Sequence, residues 1–368
     1  ISLGLVGSEM CIRDRGIALR VTVTIDNDTE IIDLGDMDPG QWNEYAMGQG
    51  WSDGFPLVMP TEAVVGRFVE LVRGDNEPLP PITPRLVIPT LETLAANAVM
   101  AGCRPEYFPA VLAAARAVLD PEYNLHGSLA TTHSCAPMLM FNGPIRNEID
   151  INVSSNCFGQ GRQANATIGR ALQLILLNVG GAKPGVMDRS TQGSPAKYAF
   201  CFGENEEESP WEPFHLRRGF EADDSVVTAI PSEAPHNIHD HASTTGVGVL
   251  TTIAGTISQP GANSIYCKAP IFIVLGPEHA QTLHRDGWTI ESIQQDIWQR
   301  SRIPIDRVSE ENQVSYAEME RPLIDGHYHL TQTPDDILIV VAGGPGKHSA
   351  YIPPFGFTTA CSVRVAHM

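Results

Sequence analysis

The chain has 368 residues, 42% of them hydrophobic and 18% charged, with 33 glycines and 28 prolines, which is enough apolar material for a sizeable core and excludes intrinsic disorder. Twenty-four Lys and Arg stand against 43 Asp and Glu, and the formal net charge of −19 has the wrong sign for a surface that tracks nucleic-acid phosphates or anionic lipid. No stretch approaches the roughly 18 consecutive apolar residues of a bilayer span, so neither membrane nor nucleic acid is an expected partner.

Residues 1–15, ISLGLVGSEMCIRDR, resemble translated sequencing-adapter read-through and are set aside as a tail; their charges follow the apolar stretch rather than precede it, unlike a signal peptide. The six cysteines beyond it, Cys103, Cys135, Cys157, Cys201, Cys267 and Cys361, are scattered and form no C-x-x-C pair. That pattern fits buried thiols in a reducing compartment, and the cytoplasm is the expected location.

Residues 17–34 alternate apolar and polar around Asp26-Asn27-Asp28 and predict a β-hairpin. Helices are expected over 39–49 and 62–73, the second capped by Thr61, followed by a proline-rich linker over 74–89 that is extended and rigid. Two helices over 91–100 and 105–119 form a hairpin broken at Gly102-Cys103-Arg104. Apolar runs at 137–141, 197–202, 225–230, 271–275 and 336–342 have strand length, and helices over 163–178, 243–257, 278–285 and 289–302 lie between them. The alternation predicts an α/β fold, a mostly parallel or mixed sheet covered by helices, with two subdomains as one arrangement. The expected organisation is an N-terminal region over 16–89, a main α/β domain over 90–335 and a segment over 336–368 that completes it.

The densest polar group is Pro235-His236-Asn237-Ile238-His239-Asp240-His241, just after a predicted strand. Imidazole is a common ligand for borderline divalent metals, so His236, His239 and His241 are the expected metal ligands, with Zn, Ni, Fe and Mn indistinguishable; a solvated loop is the alternative. His133 and Cys135, two apart in Thr132-His133-Ser134-Cys135, read as a base beside a thiol, or else as a bonded histidine and a buried cysteine. Gly159, Gly161 and Arg162 open the longest predicted helix and read as an anion-holding start, with a plain glycine turn as the alternative. Lys183, beyond that helix, is a substrate-holding cation or part of a C-terminal stop. Glu204 and Glu207 follow a strand and are candidate general bases or metal ligands. Lys347 and His348 sit in Gly343-Gly344-Pro345-Gly346-Lys347-His348, again after a strand. No nucleotide cofactor is indicated: Ala164 breaks G-x-G-x-x-G, and Val341 and His348 break the phosphate-loop pattern.

Four motifs taken together resemble an uncharacterised bacterial family associated with UGSC-type selenol or thiol proteins: Trp51-Ser52-Asp53-Gly54-Phe55-Pro56-Leu57-Val58-Met59-Pro60-Thr61, Asn97-Ala98-Val99-Met100-Ala101-Gly102-Cys103-Arg104-Pro105-Glu106-Tyr107, Ala164-Asn165-Ala166-Thr167-Ile168-Gly169-Arg170-Ala171 and Glu204-Asn205-Glu206-Glu207. No C-G-S-C or U-G-S-C occurs, so the resemblance transfers no chemistry. Gly180-Gly181-Ala182-Lys183-Pro184-Gly185 and residues 336–344 are similar to parts of the lactate racemase family, at too few positions to carry over its nickel cofactor.

The sequence therefore predicts a metal-assisted enzyme performing hydrolysis or proton abstraction on a small carboxylate-bearing substrate, with His133 near the histidine loop. A thiol-based redox enzyme using Cys103, Cys135 or Cys157, and a non-catalytic subunit of a larger assembly, are the alternatives; a homo-oligomer or a partner subunit is compatible with each.

Overall fold

The structure is a computed structural model that describes residues 20–25, 28–33, 35–75, 77–266 and 268–366. The tail over 1–15, the Asp26-Asn27 turn and Cys267 lie outside the described residues. Strands β1 (Arg20–Ile25) and β2 (Asp28–Asp33) pair antiparallel, as the alternation predicts. The helix Pro39–Gly48 starts in a capping box: Asp38 Oδ1 accepts the Gly40 and Gln41 amides while Gln41 Oε1 accepts the Asp38 amide. Thr61 precedes the helix Glu62–Leu71 as expected, but its side chain makes no cap bond. The proline-rich segment is a strap across the core, with Leu79, Ile82 and Val87 buried and Ile82 bridged to Val87. Helices Leu91–Ala101 and Phe108–Leu119 then form the expected hairpin, Gly102 ending the first at φ 88°.

The remaining strands are β3 (Ala136–Asn142), β4 (Cys201–Gly203), β5 (Val226–Ser232), β6 (His236–His239), β7 (Ile271–Leu275), β8 (Arg302–Pro304), β9 (Leu323–Ile324), β10 (His327–His329), β11 (Ile337–Val341), β12 (His348–Ile352) and β13 (Cys361–Arg364). They form one sheet of order β13-β5-β3-β4, a second of order β11-β7-β12-β6, and a small one of order β8-β10-β9. The sheets are mixed: β3/β4 and β11/β7 are parallel, while β3/β5, β5/β13, β7/β12 and β12/β6 are antiparallel.

The two large sheets lie face to face between two helical layers, and alternation along each strand sorts its side chains between cores. Leu139 and Phe141 of β3 join the helices Leu91–Ala101, Phe108–Leu119 and Gln163–Ile175 in the first core. Met138 and Met140 point the other way, into a middle core with Phe272 and Val274 of β7 and Val340 of β11. Ile271, Ile273 and Leu275 of β7 turn to the third core, under the helices Gly246–Ile257, Pro277–Arg285 and Ile290–Arg300. Burial on both faces explains why these strands read as unbroken apolar runs, each large side chain contributing about 1.5–3 kcal/mol. The expected strand over 197–202 shortens to β4 because Pro195 opens a 3-10 turn, Pro195–Lys197. No helix among the described residues is long and apolar enough to cross a membrane.

Candidate metal centre

Strand parity decides which histidines meet. β6 is an edge strand paired antiparallel with β12, with His239 opposite His348, Asn237 opposite Ala350, and His236 opposite Tyr351. Ile238 and Tyr351 are buried in the third core, whereas Ala350 belongs to the middle core. Residues of one parity share a face, so Asn237, His239 and His348 open on the seam between the sheets and His236 faces the opposite side. His241, just past the strand, returns to the seam. The side-chain nitrogens of His239, His241 and His348 lie within 4.8 Å of one another, all three residues exposed. The expected triad thus differs by one member, with His348 in the place given to His236.

Asn237 fixes one tautomer. Asn237 Oδ1, which only accepts, lies 2.9 Å from His348 Nδ1, so that nitrogen carries the proton and Nε2 presents its lone pair. His348 Nε2 accepts from His241 Nε2 at 3.1 Å, a proton that a bound cation would displace. Two imidazole nitrogens bound at about 2.0–2.1 Å to one tetrahedral zinc sit about 3.3 Å apart, close to this separation. Desolvation, then the imidazoles of His241, His239 and His279, hold His348 below the ordinary histidine range, which favours the neutral, ligating form.

A buried frame holds the two histidine-bearing segments. The Asp240 carboxylate turns inward, its Oδ1 accepting the Ser243 amide at 2.9 Å and its Oδ2 the Thr252 hydroxyl at 2.7 Å. Burial alone would raise this carboxyl, but the Thr252 and Ser243 hydrogen bonds outweigh it and bring the pKa to about 2. Asp240 is thereby a spacer that sends His239 and His241 outward together. His279, 1% exposed, has Nε2 3.0 Å from the Asp240 carbonyl and Nδ1 2.8 Å from Ser349 Oγ. Since a carbonyl only accepts, Nε2–H donates to it and Nδ1 accepts the Ser349 hydroxyl, whose oxygen accepts the Gly276 amide. One imidazole thus ties the residue between His239 and His241 to the neighbour of His348. Lys347 adds a strap, Nζ donating to the carbonyls of His241 and Ser243 at 3.3 Å each.

A cleft of about 440 Å3 runs along the seam from His348 and Asn237. Its walls come from residues 155–158, from Val274 and Gly276 at the end of β7, and from the glycine-rich turn that follows β11. The ends of parallel strands β7 and β11 open here, where α/β sheets place ligands. Close approach requires glycine at two points: a Cβ on Gly276 would meet the His348 carbonyl at 2.1 Å, and one on Gly344 the Ser155 hydroxyl at 2.0 Å.

The other candidates fall elsewhere. His133 Nε2 bonds Glu233 Oε1 at 2.7 Å, and its ring stacks on Phe355. The Glu233 amide donates to the Pro353 carbonyl, beyond the far end of β12 from His348, so the rise of about 3.4 Å per residue puts roughly 15 Å between this pair and the imidazole cluster. Cys135 is buried, its thiol donating to the Ser128 carbonyl, and burial pushes it up to about 12. Burial likewise raises Cys103 to about 12, Cys157 to about 11, Cys361 to about 12 and Cys201 beyond them, so these thiols stay protonated near neutral pH. Glu204 is buried, accepting from Asn142 and the Phe214 amide, and desolvation raises its pKa. Glu207 pairs with Arg146 at 2.9 Å, beside Glu206.

Gly159 is fixed by packing, since a Cβ there would meet the Asn156 side chain at 2.3 Å. Gly161 and Arg162 line a shallow hollow with Arg104, Glu106, Glu148 and Asp150, and Arg162 is already paired with Asp150 at 2.6 Å. Lys183 lies against Gly50, following the π-helical turn Leu176–Gly180. Of these residues, only Lys347 comes to the imidazole cluster. Two signature motifs meet in a clamp, where Asp53 receives two 2.7 Å bonds from Arg170. Comparison with known proteins adds no assignment: no protein-family model matches the chain, and no curated protein matches it.

Proposed function

We propose that the protein is a metal-dependent enzyme whose centre is His239, His241 and His348, and that it performs hydrolysis or proton abstraction on a small substrate in the adjoining cleft. The observation that carries this reading is the convergence of three imidazoles, one held in its ligating tautomer by Asn237. Three protein ligands leave a coordination position for water or for a substrate carbonyl, the arrangement of catalytic rather than structural zinc sites. A metal ion there lowers the pKa of bound water or polarises the carbonyl. An all-imidazole set suits zinc, nickel, copper or iron better than magnesium or calcium, which take oxygen ligands. Asn237, Asp240 and His279 belong to the reading as positioning residues, because such partners set ligand orientation and basicity.

The buried, protonated thiols support the redox alternative less well than the imidazoles support a metal. The test is calorimetric titration of zinc into the chelator-stripped full chain. One zinc per chain is expected, with proton release that grows as pH falls toward the histidine range. Saturation with no bound zinc would overturn the reading.

A further inference from the structure

The geometry points to an uncharged substrate: a small ester, lactone or amide whose carbonyl reaches the imidazole centre while its body stays neutral. This rests on the metal-dependent reading above and adds the substrate class to it. Among the described residues, His348 is the one member of the imidazole cluster that lines the cleft, and no Lys, Arg, Asp or Glu lines it. The walls offer apolar surface from Phe158, Pro235, Val274, Ala342 and Ala350, while Ser155, Asn156, Asn237 and Ser349 are neutral hydrogen-bonding groups. Cys157 is also uncharged there, its thiol held protonated by burial.

Other hollows differ in kind. One of about 580 Å3 carries Asp53, Asp188 and Lys197, and the hollow at Arg162 carries five charged side chains, Arg104, Glu106, Glu148, Asp150 and Arg162. Lys347 is the cation nearest the cluster in sequence, yet its Nζ is engaged by two loop carbonyls and it is absent from the cleft lining. Moving a carboxylate into a site without a counter-charge costs several kcal/mol, so an anionic body is selected against. A carboxylate would find its only strong partner at the metal, in the position that the reacting water needs. The cleft volume lies within the range of small-molecule sites. This replaces the carboxylate-bearing substrate expected from Gly159, Gly161 and Arg162.

The reaction balances with water as the sole co-reactant. Water adds to the carbonyl carbon, the bond from that carbon to the leaving oxygen or nitrogen breaks, one proton goes to the leaving group, and the acid product releases the other.

The test compares 4-nitrophenyl acetate with 4-nitrophenyl hemisuccinate, which carries a carboxylate on its acyl chain, using the zinc-loaded full chain and the chelated chain as background. The expected kcat/KM for the neutral ester is about tenfold or more above that of the charged one, and chelation removes both rates. Ser155→Lys, at the exposed rim of the cleft, is expected to move the ratio toward the charged ester. Equal or reversed preference in the unmutated chain would overturn the substrate class, as would failure of the zinc-loaded chain to hydrolyse either ester. Failure to bind zinc at all would strike the metal reading beneath it, and calorimetry on the same preparation separates the two failures.

Discussion

Two groups of ionisable side chains follow strands of this fold, and they are arranged in opposite ways. After β4, Arg146 gathers Glu206, Glu207 and the carbonyls of Gly143 and Glu204, while Glu206 also accepts from Asn142 and the Gly143 amide. Its opposite charges pair with one another within the protein. Where β6 and β12 meet, nitrogens of three imidazoles lie within 4.8 Å of one another, with Asn237 bonded to the opposite ring atom of His348 and His279 bonded to the Asp240 carbonyl behind them. A saturated cluster holds a fold together; a convergent, unsaturated one has room for a ligand.

The contrast makes opposite demands on the two regions. Arg146→Ala is expected to lower unfolding free energy by about 3–5 kcal/mol in urea titration, because it leaves the largely buried Glu206 uncompensated. Glu207, more than half exposed, adds little to that figure. Zinc stoichiometry of the folded fraction should stay unchanged, and a parallel loss of zinc would erase the distinction between the regions. His279→Ala should do the reverse, weakening zinc binding by about 10–100-fold through misplaced ligands. His279→Gln, whose amide can still donate to the Asp240 carbonyl, should recover part of that loss, whereas a purely packing role would leave both variants alike. Asn237→Leu is the mildest: freeing His348 Nδ1 should cost about tenfold in zinc affinity, read by competition with a chromophoric chelator.

Much of the framework is legible in the sequence because local rules govern it. The apolar runs at β3, β5, β7 and β11 announce strands, and Gly102 announces the break in the helical hairpin. The strands that escape are the two- and three-residue β8, β9 and β10, and β6, β12 and β13, whose sequences HNIH, HSAYI and CSVR mix polar residues into short segments. They supply antiparallel pairs, which is why the sheets are more mixed than alternating strands and helices suggest.

The imidazole cluster was half legible for the same reason. His239 and His241 stand out as a local cluster, but the exclusion of His236 depends on β6 being a strand, and the inclusion of His348 depends on its pairing with β12 across 109 positions of chain, from 239 to 348. One signal was available: Ile238 is the lone apolar residue in the histidine segment, and reading it as a core anchor places His236 on its face and His239 on the other. His279 carried no signal, since a histidine inside an amphipathic helix looks like any other until its two partners arrive from β12 and the loop after β6. Asp53 and Arg170, from two of the quoted motifs, meet in a bidentate bond that packs their segments together.

We propose that His239, His241 and His348, and not His236, form the metal centre. Its most direct test is metal content by mass spectrometry on the chain purified without a histidine tag, beside His348→Ala and His236→Ala. Near-stoichiometric metal in the unmutated chain and in His236→Ala, with loss in His348→Ala, is the predicted result. Metal retained by His348→Ala and lost from His236→Ala would contradict the account, because the ligands would then follow the sequence cluster and not the face of the strand.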